Sequence, residues 1–138
     1  MMRYLLDTNA LSEPARPRPN ARLLERWDRF GHQLSTASIV WHELWYGALR
    51  LSPGRRQEQL LAYLEDTIGP RVPVLPYDDR AAVWHAAERV RLVAVGRPMP
   101  FGDAQVAAVA KVNDLILVTA NVRHYQYFDG LQIEDWTA

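Results

Sequence analysis

Short apolar runs alternate along the chain with longer stretches in which apolar positions recur every three or four residues. Arg3–Leu6 reads as a first strand and Leu34–Thr36 as a second. Val72–Leu75 is a third, interrupted by Pro73 and therefore placed near a sheet edge. Leu115–Thr119 is the clearest strand, and Leu131–Ile133 the last. Between them, Asn20 predicts a helix cap ahead of Leu23, Leu24, Trp27 and Phe30. Ser38 predicts the cap of a helix reaching Leu51, where Ser52-Pro53-Gly54 ends it. Arg55 to Ile68 predicts another, stopped by Gly69-Pro70. Asp78 or Asp79 is expected to cap a helix carrying Ala82, Val83, Ala86, Ala87, Val90 and Val93, and Asp103 to open one running through Ala110.

Alternating strands and helices imply a parallel sheet with helices on both faces. The expectation is a three-layer α/β/α fold, residues 1–138 as one domain, with a central parallel sheet of four to five strands. Such sheets bind ligands beyond the carboxyl ends of their strands. Asp7 lies at one such end, Thr119 and Asn121 at another, and the helices beginning near Ser38 and Asp103 start from the same rim.

Composition narrows the chemistry. At 138 residues with 49% hydrophobic and 23% charged content, the chain is long enough to bury a core and is not of disordered composition. The absence of cysteine excludes disulfides, thiolate metal sites and cysteine nucleophiles. No apolar run approaches the roughly 20 residues that span a bilayer, and the start of the chain lacks a basic-then-apolar signal pattern. A soluble, cytoplasmic protein without a membrane partner is expected. Net charge is zero, yet 15 of the 16 basic residues are Arg, and they cluster at Arg16, Arg18, Arg22, Arg26 and Arg29 and again at Arg50, Arg55 and Arg56. Arginine suits bidentate contacts to phosphate, although a solvated surface explains such clusters as well.

Three carboxylates stand out: Asp7, Glu43 and Asp103. Each has a plain structural reading, as an Asx turn, a helix-surface acid and a helix cap respectively. Their common rim position argues for more. Carboxylates gathered from distant segments repel unless something positive lies between them, and a hard divalent cation with oxygen ligands meets that need.

Five segments in order also resemble a known family. Asp7-Thr8-Asn9 with Leu11-Ser12-Glu13, then Glu43-Leu44-Trp45-Tyr46-Gly47-Ala48, are similar to the first two motifs of PIN-domain ribonucleases. Gly96 to Asp103 ahead of an Ala-rich helix, Leu117 to Tyr125, and the closing Leu131 to Trp136 complete the resemblance, which is greatest to the VapC toxins of toxin–antitoxin modules. It covers essentially the whole chain. The resemblance implies a PIN-like fold and a magnesium- or manganese-dependent endoribonuclease toxin that hydrolyses RNA and is inhibited by a cognate VapB-type antitoxin. It implies Asp7, Glu43 and Asp103 as Mg2+ or Mn2+ ligands, with Thr8, Asn9, Ser38 and Thr119 in support. Asn121, counted with the catalytic set, stands where many relatives carry a fourth acid, and His124 also stands where an acid is common. His124 is read as a surface residue. Arg16, Arg18, Arg50 and Arg97 are the candidates for holding the RNA backbone. A homodimer is expected both from the resemblance and because five Trp are many for so small a core. The alternative is a catalytically weak or inactive PIN-like module that binds RNA or protein. A phosphoacceptor receiver domain is disfavoured, because the only Lys, Lys111, falls within a helix.

Overall fold

The structure is a computed structural model that describes residues 1–138. Strand β1 (Tyr4–Leu6) lies at the centre of a five-stranded, wholly parallel sheet of order β3-β2-β1-β4-β5. Its neighbours are β2 (Leu34–Ala37) and β4 (Ile116–Val118), with β3 (Val74–Leu75) and β5 (Ile133–Glu134) at the two edges. The expected edge position of the third strand is observed. Pro73 brings no N–H, but its carbonyl accepts from Thr36 N at 3.0 Å. All three residues of β1 and of β4 are buried, as a sheet covered on both faces requires.

The chain runs outward from β1 to β2 and β3 on one side, then crosses to β4 and β5 on the other. The strand order therefore reverses between β1 and β4, and a crevice opens beyond their carboxyl ends. Asp7 and Thr119 are the first residues after those two strands.

Ten segments of helix or short helical turn surround the sheet. Helix α1 (Thr8–Ser12) leaves β1 directly, capped by Asp7, and was not expected. Next, α2 (Ala21–Phe30) begins at the predicted Asn20, whose side chain accepts from Arg22 N and Leu23 N at 3.0 Å. The cap expected at Ser38 is not formed. Ala37 occupies the cap position, and Ser38 is the exposed first residue of α3 (Ser38–Leu49), with no capping hydrogen bond. Strand β2 runs straight into the helix, so no polar residue is left between them to accept. The buried hydroxyls that do matter precede it: Ser35 donates to Tyr4 O and Thr36 to Leu6 O, tying β2 to β1.

Helix α4 (Arg55–Ala62) continues into a π-helical segment, Tyr63–Ile68, that stops at Gly69 as expected. Asp78 caps α5 (Asp79–Ala94) through Ala81 N. Gly96, at φ 75°, reverses the chain while Arg97 N bonds Leu92 O. Helix α6 (Phe101–Val112) starts two residues earlier than expected, so Asp103 sits inside its first turn while Pro100 holds the cap position. Proline supplies a preset backbone angle there, and no side-chain cap is made. Ala104 and Val106 to Ala110 of α6 are buried and form much of the 26-residue core. A single turn, α7 (Val122–Tyr125), follows β4.

Candidate active site

Asp7, Glu43 and Asp103 line one cleft of about 230 Å³, together with Thr8, Ile39, Val40, Gly102 and Val106. Each arrives by a different route. Asp7 is delivered by the end of the central strand, Glu43 by the second turn of α3, and Asp103 by the first turn of α6.

Asp7 is the anchored member. It is only 7% exposed, and every contact it receives is a donor. Thr8 N donates to Oδ1 at 2.8 Å; the Thr119 and Tyr125 hydroxyls donate to Oδ2 at 3.0 and 3.2 Å. Burial pushes its carboxyl above the usual range; the three hydrogen bonds oppose that shift and the Asp103 charge adds to it. No Lys or Arg lies within 4.0 Å of Asp7 or of Glu43, although five such pairs form elsewhere in the molecule. Glu43 is exposed and makes no hydrogen bond.

Thr119 is held as predicted. Its hydroxyl, besides serving Asp7, accepts from Asn121 N at 3.1 Å and from Asn9 Nδ2 at 3.4 Å, while Asn9 Oδ1 accepts from Ala120 N. Asn9 thus pins the β4 exit to α1. The Asn121 side chain, by contrast, is exposed, absent from the cleft wall and free of hydrogen bonds, so the structure does not bring it to the acids. Ser38 is not in the cleft either.

Two neighbours in α7 do reach the acids, and sequence reasoning missed both. His124 Nε2 lies 2.6 Å from Asp103 Oδ2 while its side chain stays 38% exposed, so the residue is at the surface as expected and in contact with an acid as well. Tyr125, fully buried, places its hydroxyl 3.2 Å from Asp7 Oδ2 and 3.4 Å from Asp103 Oδ1. A phenol has one proton, so it serves one carboxylate at a time and holds the two at a common hinge. Burial and then the two carboxylate charges raise its pKa, keeping it a donor. Only the order of residues after Thr119 could have signalled this: a one-turn helix places positions 124 and 125 back over the strand ends.

Three acid side chains, one buried and two more exposed, with no Lys or Arg beside Asp7 or Glu43, are chemically the donor set of a hard-cation site. In the rotamers present, no three acid or imidazole groups converge on one point, since Asp103 is engaged by His124 and Glu43 stands free in solvent.

An apolar groove of about 440 Å³ adjoins this cleft and shares Thr8 and Glu43 with it. Leu44, Ala48, Leu51, Leu60 and Leu64 floor it, and Arg16 and Arg56 stand at its margin. Tyr63, at the start of the π-helical segment, donates to Leu11 O at 2.7 Å and fixes one wall. Of the predicted arginines, Arg16 is engaged by Glu13 at 3.3 Å, Arg50 lies over the Tyr46 ring and Arg97 over the Tyr127 ring, while Arg18 is exposed.

A parallel sheet with its acids at the β1/β4 reversal defines the class to which the molecule belongs. Residues 4–128 match the PIN domain family, and the chain belongs to that family. The tRNA(fMet)-specific endonuclease VapC of Salmonella typhimurium is 34% identical over 137 residues, covering 99% of each chain. Among solved structures, the DNA-bound VapBC complex of Salmonella typhimurium superposes with a TM-score of 0.84 at 32% identity, covering 99% of each chain. FitAcB from Neisseria gonorrhoeae superposes at 0.88 with 29% identity, covering 96% of this chain and 97% of that one.

Proposed function

We propose that this protein is a metal-dependent endoribonuclease that hydrolyses RNA phosphodiester bonds as the toxin of a toxin–antitoxin pair. The observation that carries this reading is the uncompensated acidic cleft at the strand-order reversal, in a chain aligned along its whole length with VapC endonucleases. Asp7, Asp103 and Glu43 would hold Mg2+ or Mn2+, with Glu43 free to swing inward because nothing pins it. A bound cation of this kind supplies a water of lowered pKa and offsets charge on the phosphoryl oxygens.

The chain's own residues then have distinct tasks. Thr119 and Tyr125 fix the Asp7 carboxylate by donating to Oδ2, and Thr8 N fixes the other oxygen. Asn9 holds the β1 and β4 ends at constant separation through Ala120 N. Arg16, Arg18, Arg50 and Arg97 would contact the RNA backbone around the cleft. Phosphate contacts release counterions, so cleavage would weaken steeply between very low and moderate salt; activity indifferent to salt would count against these arginines.

The decisive test is RNA cleavage with added magnesium or manganese by the wild type and by Asp7→Asn. Cleavage by the wild type alone supports the reading. Equal activity in both would overturn the mechanism, and inactivity in both would favour a non-cleaving PIN-like binding module.

The partner is a VapB-type antitoxin, and the apolar groove with Arg16 and Arg56 beside it offers such a chain a continuous path to the carboxylates. A second copy of this chain is the other proposed partner. The reason lies not in the tryptophans, since Trp136 is in the core and Trp27, Trp41 and Trp84 pack partly against it. It lies in Val83, Val90 and Val93, all exposed on one face of α5. Sedimentation showing only monomer at micromolar concentration would sink the homodimer.

No helix is long and apolar enough to cross a membrane.

A further inference from the structure

We propose that His124 is a nitrogen ligand of the cation site, giving this chain a mixed carboxylate–imidazole donor set that favours a transition ion over magnesium. The inference rests on the metal-dependent reading above and deepens it.

Three observations point there. His124 Nε2 sits 2.6 Å from Asp103 Oδ2, so imidazole and carboxylate reach the same point in space, with a single proton between them. Two donors sharing one octahedral ion stand roughly 3 Å apart, so a cation replaces that proton after a small opening of the pair. Second, the imidazole is oriented for the task. It stands edge-on to the Tyr125 ring at 5.5 Å and 90°, and Tyr125 itself is pinned between Asp7 and Asp103. Third, the side chain that could otherwise have completed the acidic set does not arrive. Asn121, which precedes α7, is exposed and its side chain makes no hydrogen bond, whereas His124, within α7 and likewise outside the cleft wall, is inside hydrogen-bonding reach of an acid.

The consequence follows from ligand softness. Magnesium prefers oxygen donors and keeps most of its waters, whereas imidazole nitrogen raises affinity for first-row transition ions. Replacing an acid by imidazole also removes one negative charge, which weakens magnesium binding further. An ion pair between His124 and Asp103 alone is the competing reading, and it requires no nitrogen at the metal.

Manganese alone is the probe. Metal-free protein is titrated with Mn2+ by electron paramagnetic resonance, and pulsed spectra of the bound ion are examined for nitrogen modulation. Wild type is expected to show the modulation, and His124→Ala to lose it with an affinity for Mn2+ about tenfold or more weaker. Magnesium affinity, measured by competition, should change much less, and His124→Glu should bind Mg2+ better than wild type. Bound Mn2+ without nitrogen modulation in the wild type, or modulation that survives His124→Ala, overturns the inference. RNA cleavage measured on the same samples separates the two failures. Asp7-dependent cleavage without nitrogen coupling leaves the nuclease reading standing. A wild type that neither binds Mn2+ nor cleaves overturns both.

Discussion

Two carboxylates in this molecule are equally buried and oppositely treated. Asp7 is 7% exposed and Glu88 6%. Glu88 receives Arg91 through two bonds, Nε at 2.8 Å and Nη2 at 2.7 Å, and Asp129 N at 2.7 Å. The Arg91 guanidinium above all holds its carboxyl below the usual range. Asp7 is given neutral donors only, with a second acid as its neighbour, and burial drives its carboxyl above that range. Glu88 is a completed interaction: it clasps α5 to the segment after α7, and Arg91 extends the clasp to Tyr127 O. Asp7 is an unpaired one, a buried acid with no Lys or Arg within 4.0 Å. Buried acids whose pKa is shifted in this way cluster at functional sites, whereas a paired acid such as Glu88 is explained by the fold itself.

Four substitutions or conditions put this contrast at risk. The largest effect is expected from Asp7→Asn. Cleavage should fall on the order of 10³-fold, as expected when several kcal/mol of transition-state charge stabilisation are lost. The thermal midpoint at neutral pH should rise at the same time, because the amide removes an uncompensated buried charge. Scanning fluorimetry that found a lower midpoint would break the comparison.

Glu88→Gln should do the opposite. Denaturant unfolding should show a loss of about 1–3 kcal/mol, from charged hydrogen bonds weakened and donors left partly unsatisfied. Cleavage by the folded fraction should stay within a few-fold, and a collapse of activity without loss of stability would assign Glu88 a role in the reaction.

Acidity separates the two acids further. The folded chain binds the Asp7 proton more tightly than the unfolded chain does, so its charge costs stability above the raised value, and that cost vanishes as pH falls through it. Glu88 has the reverse sign. Its contribution is full above its ordinary value of 4.5 and is lost as pH falls through the depressed one. Unfolding curves from neutral pH down to about pH 4 should therefore show the advantage of Asp7→Asn shrinking first, with the deficit of Glu88→Gln persisting below it. Parallel curves for both variants would contradict the assignment.

The smallest effect is expected from Tyr125→Phe. The ring stays in the core while its hydroxyl leaves both Asp7 and Asp103, so cleavage should fall roughly 10-fold with little change in unfolding. A rate equal to wild type would show that Thr119 and Thr8 hold Asp7 without help.

Much of the fold was legible along the chain. Leu5 and Leu6, Leu117 and Val118 announced strands buried on both faces; Asn20 caps where its neighbours' periodicity said it would, and of the two candidate acids Asp78 and Asp79 it is Asp78 that caps α5. The boundaries that slipped did so for local reasons. Proline at position 100 could start α6 without a side-chain cap, so Asp103 fell inside the helix. Ser38 found its cap position taken by Ala37 because strand and helix join without a loop. Helix α1 is five residues long and carries too short a pattern to be read. In the site, the convergence of Asp7, Glu43, Asp103 and Thr119 followed from topology alone, because parallel strands deliver their carboxyl ends to one edge.

The sequence by itself therefore determined the architecture, the family and the acids, since each depends on local periodicity, on chain order or on residues met in a recognisable run. Tertiary structure alone decided how those acids are held. That Asp7 has only neutral donors while Glu88 has Arg91, that Tyr125 spans two carboxylates, and that His124 rather than Asn121 reaches Asp103 are facts of side-chain direction. These contacts join residues up to 118 positions apart in the chain, so no local pattern encodes them. Packing of α6 and α7 against the strand ends sets them, and with them the charge that the cleft lacks.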